Sequence, residues 1–177
     1  MNKIVLGLDV STSRVGITIL NSNADLIDCQ VIKLNSKDQL EIRCDQLKNY
    51  LKLNYNKYNI KEIYIESPFV MFSGGKTTAM TMAKLQRFNG MVSYMVRQLY
   101  GINSVSIAAN KARGLVGLKI KRGENTKLKV IEWAEAQYPK DFIVEYTRHG
   151  NPKPGTDDKA DSIVIARAGL LMEKEKK

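Results

Sequence analysis

"GLDVSTSRVG", residues 7–16, places a carboxylate at the end of an apolar strand. Ile4, Val5 and Leu8 suit a central strand, and Asp9 falls where that strand runs out into a turn of Ser, Thr and Gly. Strands select against Asp, so its presence needs a reason. Two are open from this segment alone. Asp9 caps its own turn through its side chain, or it is one arm of a metal site.

Working outward, "VGITIL" (15–20) and "LIDCQVIKL" (26–34) read as two further strands, and the polar "NSNAD" (21–25) between them as a turn. Together they predict an antiparallel meander. Residues 37–57 follow a helical period through Leu40, Ile42, Leu47, Tyr50 and Leu51. "EIYIE" (62–66) is a short strand that again ends on an acid, Glu66. A helix from Lys76 to about Tyr100 carries an apolar stripe from Met80 to Leu99, and Gly90 within it predicts a close helix contact, between subunits. "NSVSIAA" (103–109) reads as a strand and residues 125–138 as a helix stopped by Pro139. "NPKPG" (151–155) is a loop before a final helix. The order β-β-β-α-β-α-β-α-α predicts a mixed α/β layer fold in a single domain over residues 1–177.

Of the 177 residues, 44% are apolar, enough for a covered sheet. No apolar run reaches the roughly 18–20 residues needed to cross a bilayer, and the N-terminus opens on a strand pattern rather than a secretory leader. Lys and Arg total 28 against 18 Asp and Glu, a net charge of +10. Such an excess draws polyanions, nucleic acid above all. The basic residues gather in "NKARGLVGLKIKRGENTKLK" (110–129), where Glu124 is the lone acid.

Other chemistries fit poorly. Cys29 and Cys44 lack metal-binding spacing and, with His149 as the sole histidine, cannot complete a zinc site. They read as reduced thiols. "GGKTT" (74–78) matches the end of a P-loop, but Val70 stands where its first glycine belongs, so no nucleotide cofactor is expected. Lys76 in that loop is instead a candidate contact to DNA phosphate. His149 lies in a loop and stays outside the catalytic set.

The acids form the informative set: Asp9 and Glu66 at strand ends, and Asp157, Asp158 and Asp161 opening the last helix. Complementing the helix dipole explains Asp157 well. It explains Asp161 less well, because Asp161 directly precedes the apolar "SIVIA". Asp158 and Asp161 are three apart and share a helix face. Packed beside both strand ends, they would bring four carboxylates together, which stay ionised only around cations. Hard oxygen ligands suit Mg²⁺ or Mn²⁺, and two such ions form the clamp used for phosphodiester hydrolysis.

"GLDVSTSRVG", "IYIESPF" (63–69) and "DDKADSIVIARA" (157–168), in this order, resemble the RuvC family of Holliday-junction resolvases, within the RNase H-like superfamily. The resemblance implies a mixed five-stranded sheet with helices on both faces. It implies a Mg²⁺-dependent endonuclease, Mn²⁺ substituting, with two ions held by Asp9, Glu66, Asp158 and Asp161; Asp157 remains an alternative to Asp158. It also implies a homodimer that cuts four-way or branched DNA by paired nicks, in a bacterial cytoplasm or a phage-infected host. Phe69 matches the family's junction-stacking aromatic. "NKARGLVG" and "TKLKV" match segments whose lysines approach the scissile phosphate, which points to Lys111 and Lys127, with Arg113 beside them on the DNA. The intervening "LKIKRGENT" departs from the family, so Lys119, Lys121 and Arg122 can share or replace either role. Rival readings are a fork, flap or RNA–DNA hybrid nuclease, a junction-binding protein without catalysis, and the phosphate motif of sugar kinases and actin-like ATPases, which normally pair two such domains.

Overall fold

β1 (Ile4–Val10) runs through the middle of a five-stranded sheet of order β3-β2-β1-β4-β5. A computed structural model describes residues 3–68 and 78–174. β2 (Arg14–Asn21) and β3 (Leu26–Lys33) return antiparallel, as the meander pattern predicts, while β4 (Ile60–Glu66) and β5 (Val105–Ile107) add in parallel on the other side. The sheet is therefore mixed, in line with the α/β class expected.

Strand alternation sorts the two faces. Leu6, Leu8 and Val10 join Val15, Ile17, Ile19, Ile63 and Ile65 in one buried layer, against α1 (Leu40–Tyr55) and α2 (Ala79–Tyr100). Val5, Leu20 and Tyr64 face the other way, into the layer formed with α3 (Ala109–Leu115), α4 (Thr126–Gln137) and α5 (Thr156–Lys174). The same alternation puts Gly7, Asp9, Arg14, Gly16, Thr18 and Glu66 on the α5 side. Leu8 pairs with Ile65 in the parallel register, so Asp9 and Glu66 follow one step later, side by side at the strand ends.

Close approach of α5 depends on missing side chains. A Cβ on Gly16 would lie 1.9 Å from the Asp158 carbonyl oxygen, and one on Gly7 would lie 2.6 Å from the Ala166 Cβ. Beneath the helix the hydroxyls of Thr18 and Ser162 meet at 2.7 Å, both fully buried. Hydrogen bonding offsets the cost of burying them.

The structure corrects several sequence expectations. The basic segment opens with a helix, α3, that its sequence does not announce; its seven residues bury only Ala112, so it shows no apolar period. Ala109 opens that helix rather than closing β5. In α2 the stripe buries Phe88, Val92, Met95 and Val96, whereas Met80 is 84% exposed, because the helix overhangs the sheet at its start. Ile42 is also exposed. Gly90 has nothing within 4 Å of a Cβ added to it among the described residues, which leaves the expected contact between subunits untested. Cys29 and Cys44 are both free, the second of them buried.

Candidate active site

Two strand ends and one helix start bring the acids together. Asp9 stands at the end of β1, Glu66 closes β4, and Asp157, Asp158 and Asp161 occupy the first turns of α5. Their effect on one another is direct. Burial, then the charges of Glu66, Asp161, Asp158 and Asp157 in falling order, holds the Asp9 carboxyl well above the usual carboxylate range. Glu66 is pushed up to about 7 by burial and by Asp161, against the pull of Arg113. Asp161 rises to about 6, chiefly through burial, with Arg113 opposing and Asp157 and Asp158 adding to it. Burial and the neighbouring Asp157 raise Asp158 as well.

Asp157 behaves differently. Burial pushes it upward, but the hydrogen bond and charge of Lys127 outweigh that and hold it below the ordinary range. Lys127 is raised in turn, first by that bond. Asp157 is thus committed to an ion pair with Lys127. Asp158 keeps a buried Oδ2 with no hydrogen-bond partner among the described residues, the Arg14 guanidinium standing 3.8 Å away.

Among the described residues, no three His, Cys, Asp or Glu side chains are already posed as ligands to one metal ion. The donor set nevertheless fits hard divalent cations. It is all oxygen and desolvated, its members repel one another, and it includes the unpartnered Asp158 Oδ2.

Three further residues, none of them singled out among the candidates above, shape the site. Arg14 opens β2 from a turn in which the Ser11 hydroxyl accepts from the Arg14 amide at 3.1 Å and donates to the Arg14 carbonyl at 2.9 Å. Asn89, buried in α2, donates to the Glu66 carbonyl at 2.9 Å and so fixes the end of β4. Arg43 of α1 is 4% exposed and carries no carboxylate partner among the described residues; it donates to the carbonyls of Asp38 at 3.0 Å, Thr12 at 2.6 Å and Ser36. It thereby ties the turn after Asp9 to the loop before α1. Arg43→Ala would strand three carbonyls and is expected to cost about 3 kcal/mol, read as a fall of Tm on the order of 10 °C.

The other candidates divide by position. Arg113 is an α3 cation whose charge acts on Glu66 and Asp161. Lys111, Lys119, Lys121 and Arg122 are exposed around α3 and the loop after it. Phe69 and Lys76 lie outside the described residues. No described helix is long and apolar enough to cross a membrane.

No protein-family model matches the chain, and no curated protein sequence does. Solved structures do. RuvC of Thermus thermophilus in complex with a Holliday junction substrate superposes with a TM-score of 0.70 at 13% identity, over 98% of this chain and 96% of that one. A second structure of Thermus thermophilus RuvC gives 0.64 at the same identity and coverage. The yeast mitochondrial Holliday junction resolvase Ydc2 gives 0.62 at 17%, over 97% of this chain and 79% of the other. Across nearly its whole length, with its acids at the ends of β1 and β4 and the start of α5, the chain has the RuvC-type, RNase H-like fold.

Proposed function

We propose that the protein is a structure-selective endodeoxyribonuclease that resolves four-way or branched DNA junctions. The observation that carries this reading is the convergence of Asp9, Glu66, Asp158 and Asp161 on the α5 side of a RuvC-type sheet. Acids facing a phosphodiester would weaken binding unless they hold cations, which argues against a purely architectural protein.

Asp9, Glu66, Asp158 and Asp161 would hold two Mg²⁺ ions, and Mn²⁺ in their place. Ions bound there would supply water activation and stabilisation of a leaving 3′ oxygen, the chemistry that yields a 5′ phosphate and a 3′ hydroxyl. The protein's own cations complete the site. Lys127, held by Asp157 at the start of α5, and Arg113, facing Glu66 and Asp161, offset charge that builds on the phosphate during attack. Lys111, Lys119, Lys121 and Arg122 supply backbone contacts around them. Arg43, Asn89 and the Ser11 turn hold the carboxylate-bearing ends still.

Paired symmetric nicks need two sites related by a two-fold axis. The outer face of α2 offers itself to a second copy: Met80 and Tyr94 are 84% and 63% exposed, and Gly90 has open space before it.

The test is cleavage of an immobile four-way junction beside linear duplex, a fork and an RNA–DNA hybrid, with Mg²⁺ and with EDTA. Paired nicks confined to the junction and abolished by EDTA are expected. Preferential cutting of the hybrid or fork would overturn the substrate, and junction binding without cutting under any divalent ion would overturn the enzyme.

A further inference from the structure

A second cationic surface stands on the β3 side of the acids, away from the 110–129 segment. Its base is fixed by register. Asp9 pairs with Gly16 and Gly16 with Val31, so these three residues form one row across β1, β2 and β3. On Val31 sits Gly155, where a Cβ would come within 2.9 Å of the valine methyl; only a glycine lets the chain cross so closely, and its φ is +96°. A hairpin ends on that contact. Tyr146 bridges Pro152, the Thr147 amide donates to the Asn151 carbonyl at 2.8 Å, and the Lys153 amide donates to the Glu145 carbonyl at 2.8 Å. The hairpin is therefore a built element, joined through Thr156 to the very turn of α5 that bears Asp157 and Asp158.

Its cations are not equivalent. Lys153 is committed to Glu145 at 2.7 Å. Arg148 and His149, both exposed, occupy the tip. The Arg148 Nε donates to the His149 Nε2 at 3.0 Å, the only hydrogen bond that the Arg148 side chain makes among the described residues. Its two terminal nitrogens are thereby left without a partner among the described residues, a fork that suits a phosphate. Lys33 of β3 pairs with Arg14 and lies on the same face as Val31, one alternate position along, and it too is exposed.

Resting on the resolvase reading above, we infer that Lys33 and the Arg148–His149 tip form a second DNA-backbone surface, which grips a strand away from the scissile phosphate. β3 lies two strand spacings from β1, about 10 Å. At about 3.4 Å of rise per nucleotide, that is about three phosphates along one strand. α3, which carries Arg113, follows β5 at the opposite edge of the sheet. The acids thus lie between two cationic flanks, and a strand crossing the site is held on both sides of the bond to be cut.

The experiment uses the full chain and an immobile four-way junction in EDTA, with Kd measured across a salt series. Lys33→Ala combined with Arg148→Ala is expected to raise Kd roughly ten- to a hundredfold and to lower the slope of log K against log salt by about 2, since each phosphate no longer neutralised removes about one unit. Cleavage at saturating junction with Mg²⁺ should stay within about twofold of the unchanged protein. Lys48→Ala with Lys52→Ala, exposed on α1 across the sheet, is the charge-matched control and should leave the slope in place. An unchanged slope in the Lys33/Arg148 pair, or an equal fall in both pairs, would overturn the second surface while leaving the resolvase reading intact. An unchanged protein that neither binds nor cuts the junction would overturn both.

Discussion

Asp9→Asn is expected to cut junction cleavage by at least about a thousandfold, a barrier rise of about 4 kcal/mol, while junction binding persists. The same substitution should stabilise the protein when divalent ions are removed. Asp9 is raised above the ordinary carboxylate range by burial and by four surrounding acids, so the fold favours its protonated form. Glu66, near 7, and Asp161, near 6, follow the same logic. A carboxyl raised on folding contributes stability that is fully present below its unfolded pKa, near 4, and is lost as pH rises through its folded value. In EDTA the unchanged protein should therefore lose stability between about pH 5 and 8. Asn at position 9 removes one buried charge and relieves Glu66 and Asp161 together. The variant's Tm at pH 8 should exceed the unchanged protein's by on the order of 5 °C, and the gap should close toward pH 4.5. Melting curves over this pH range, with and without Mg²⁺, check both halves. A variant that melts lower than its parent at pH 8 in EDTA would show that Asp9 is a stabilising hydrogen-bond acceptor rather than a strained ligand.

Gly16→Val carries the second large effect. The added Cβ would overlap the Asp158 carbonyl at 1.9 Å and press on the Ser162 Cβ at 3.2 Å. Backbone cannot rotate out of the way as a side chain can, so α5 must lift or β2 must sink. Overpacking against main chain on this scale is expected to cost about 3–5 kcal/mol, and to lower Tm by on the order of 10 °C. Activity should fall further than stability, because the displaced turn carries Asp157 and Asp158. Gly114→Ala, with nothing within 4 Å of the new methyl, is the matching control and should fold normally. Thermal melts and far-ultraviolet circular dichroism on both variants separate the two outcomes.

Where the sequence is legible, periodicity or position in a strand carries the information. The three-strand meander, the acid-tipped strands and the acid-opened last helix all follow from local pattern, and the ordered set points to the fold that the solved structures share. α3 is invisible because seven residues with Lys, Arg and Gly among them bury a single alanine. Arg43 reads in sequence as an ordinary helical cation, and only the fold brings three carbonyls around it. Asn89 sits in an apolar stripe with nothing local to show that it reaches the end of β4. The choice between Asp157 and Asp158 likewise rests on Lys127, thirty residues away in sequence, which occupies one acid and leaves the other with an unpartnered oxygen.

The site is assembled from the first strand and the last helix. Asp9 is in place early in synthesis, but Asp158 and Asp161 arrive only when α5 emerges and docks across β1 and β2. Such long-range pairing forms slowly, after the local elements. A chain still on the ribosome, or one cut short before residue 156, carries the cationic segment but lacks Asp158 and Asp161, so its cluster of acids is incomplete. The full set of acids is thus complete only once the last helix has docked.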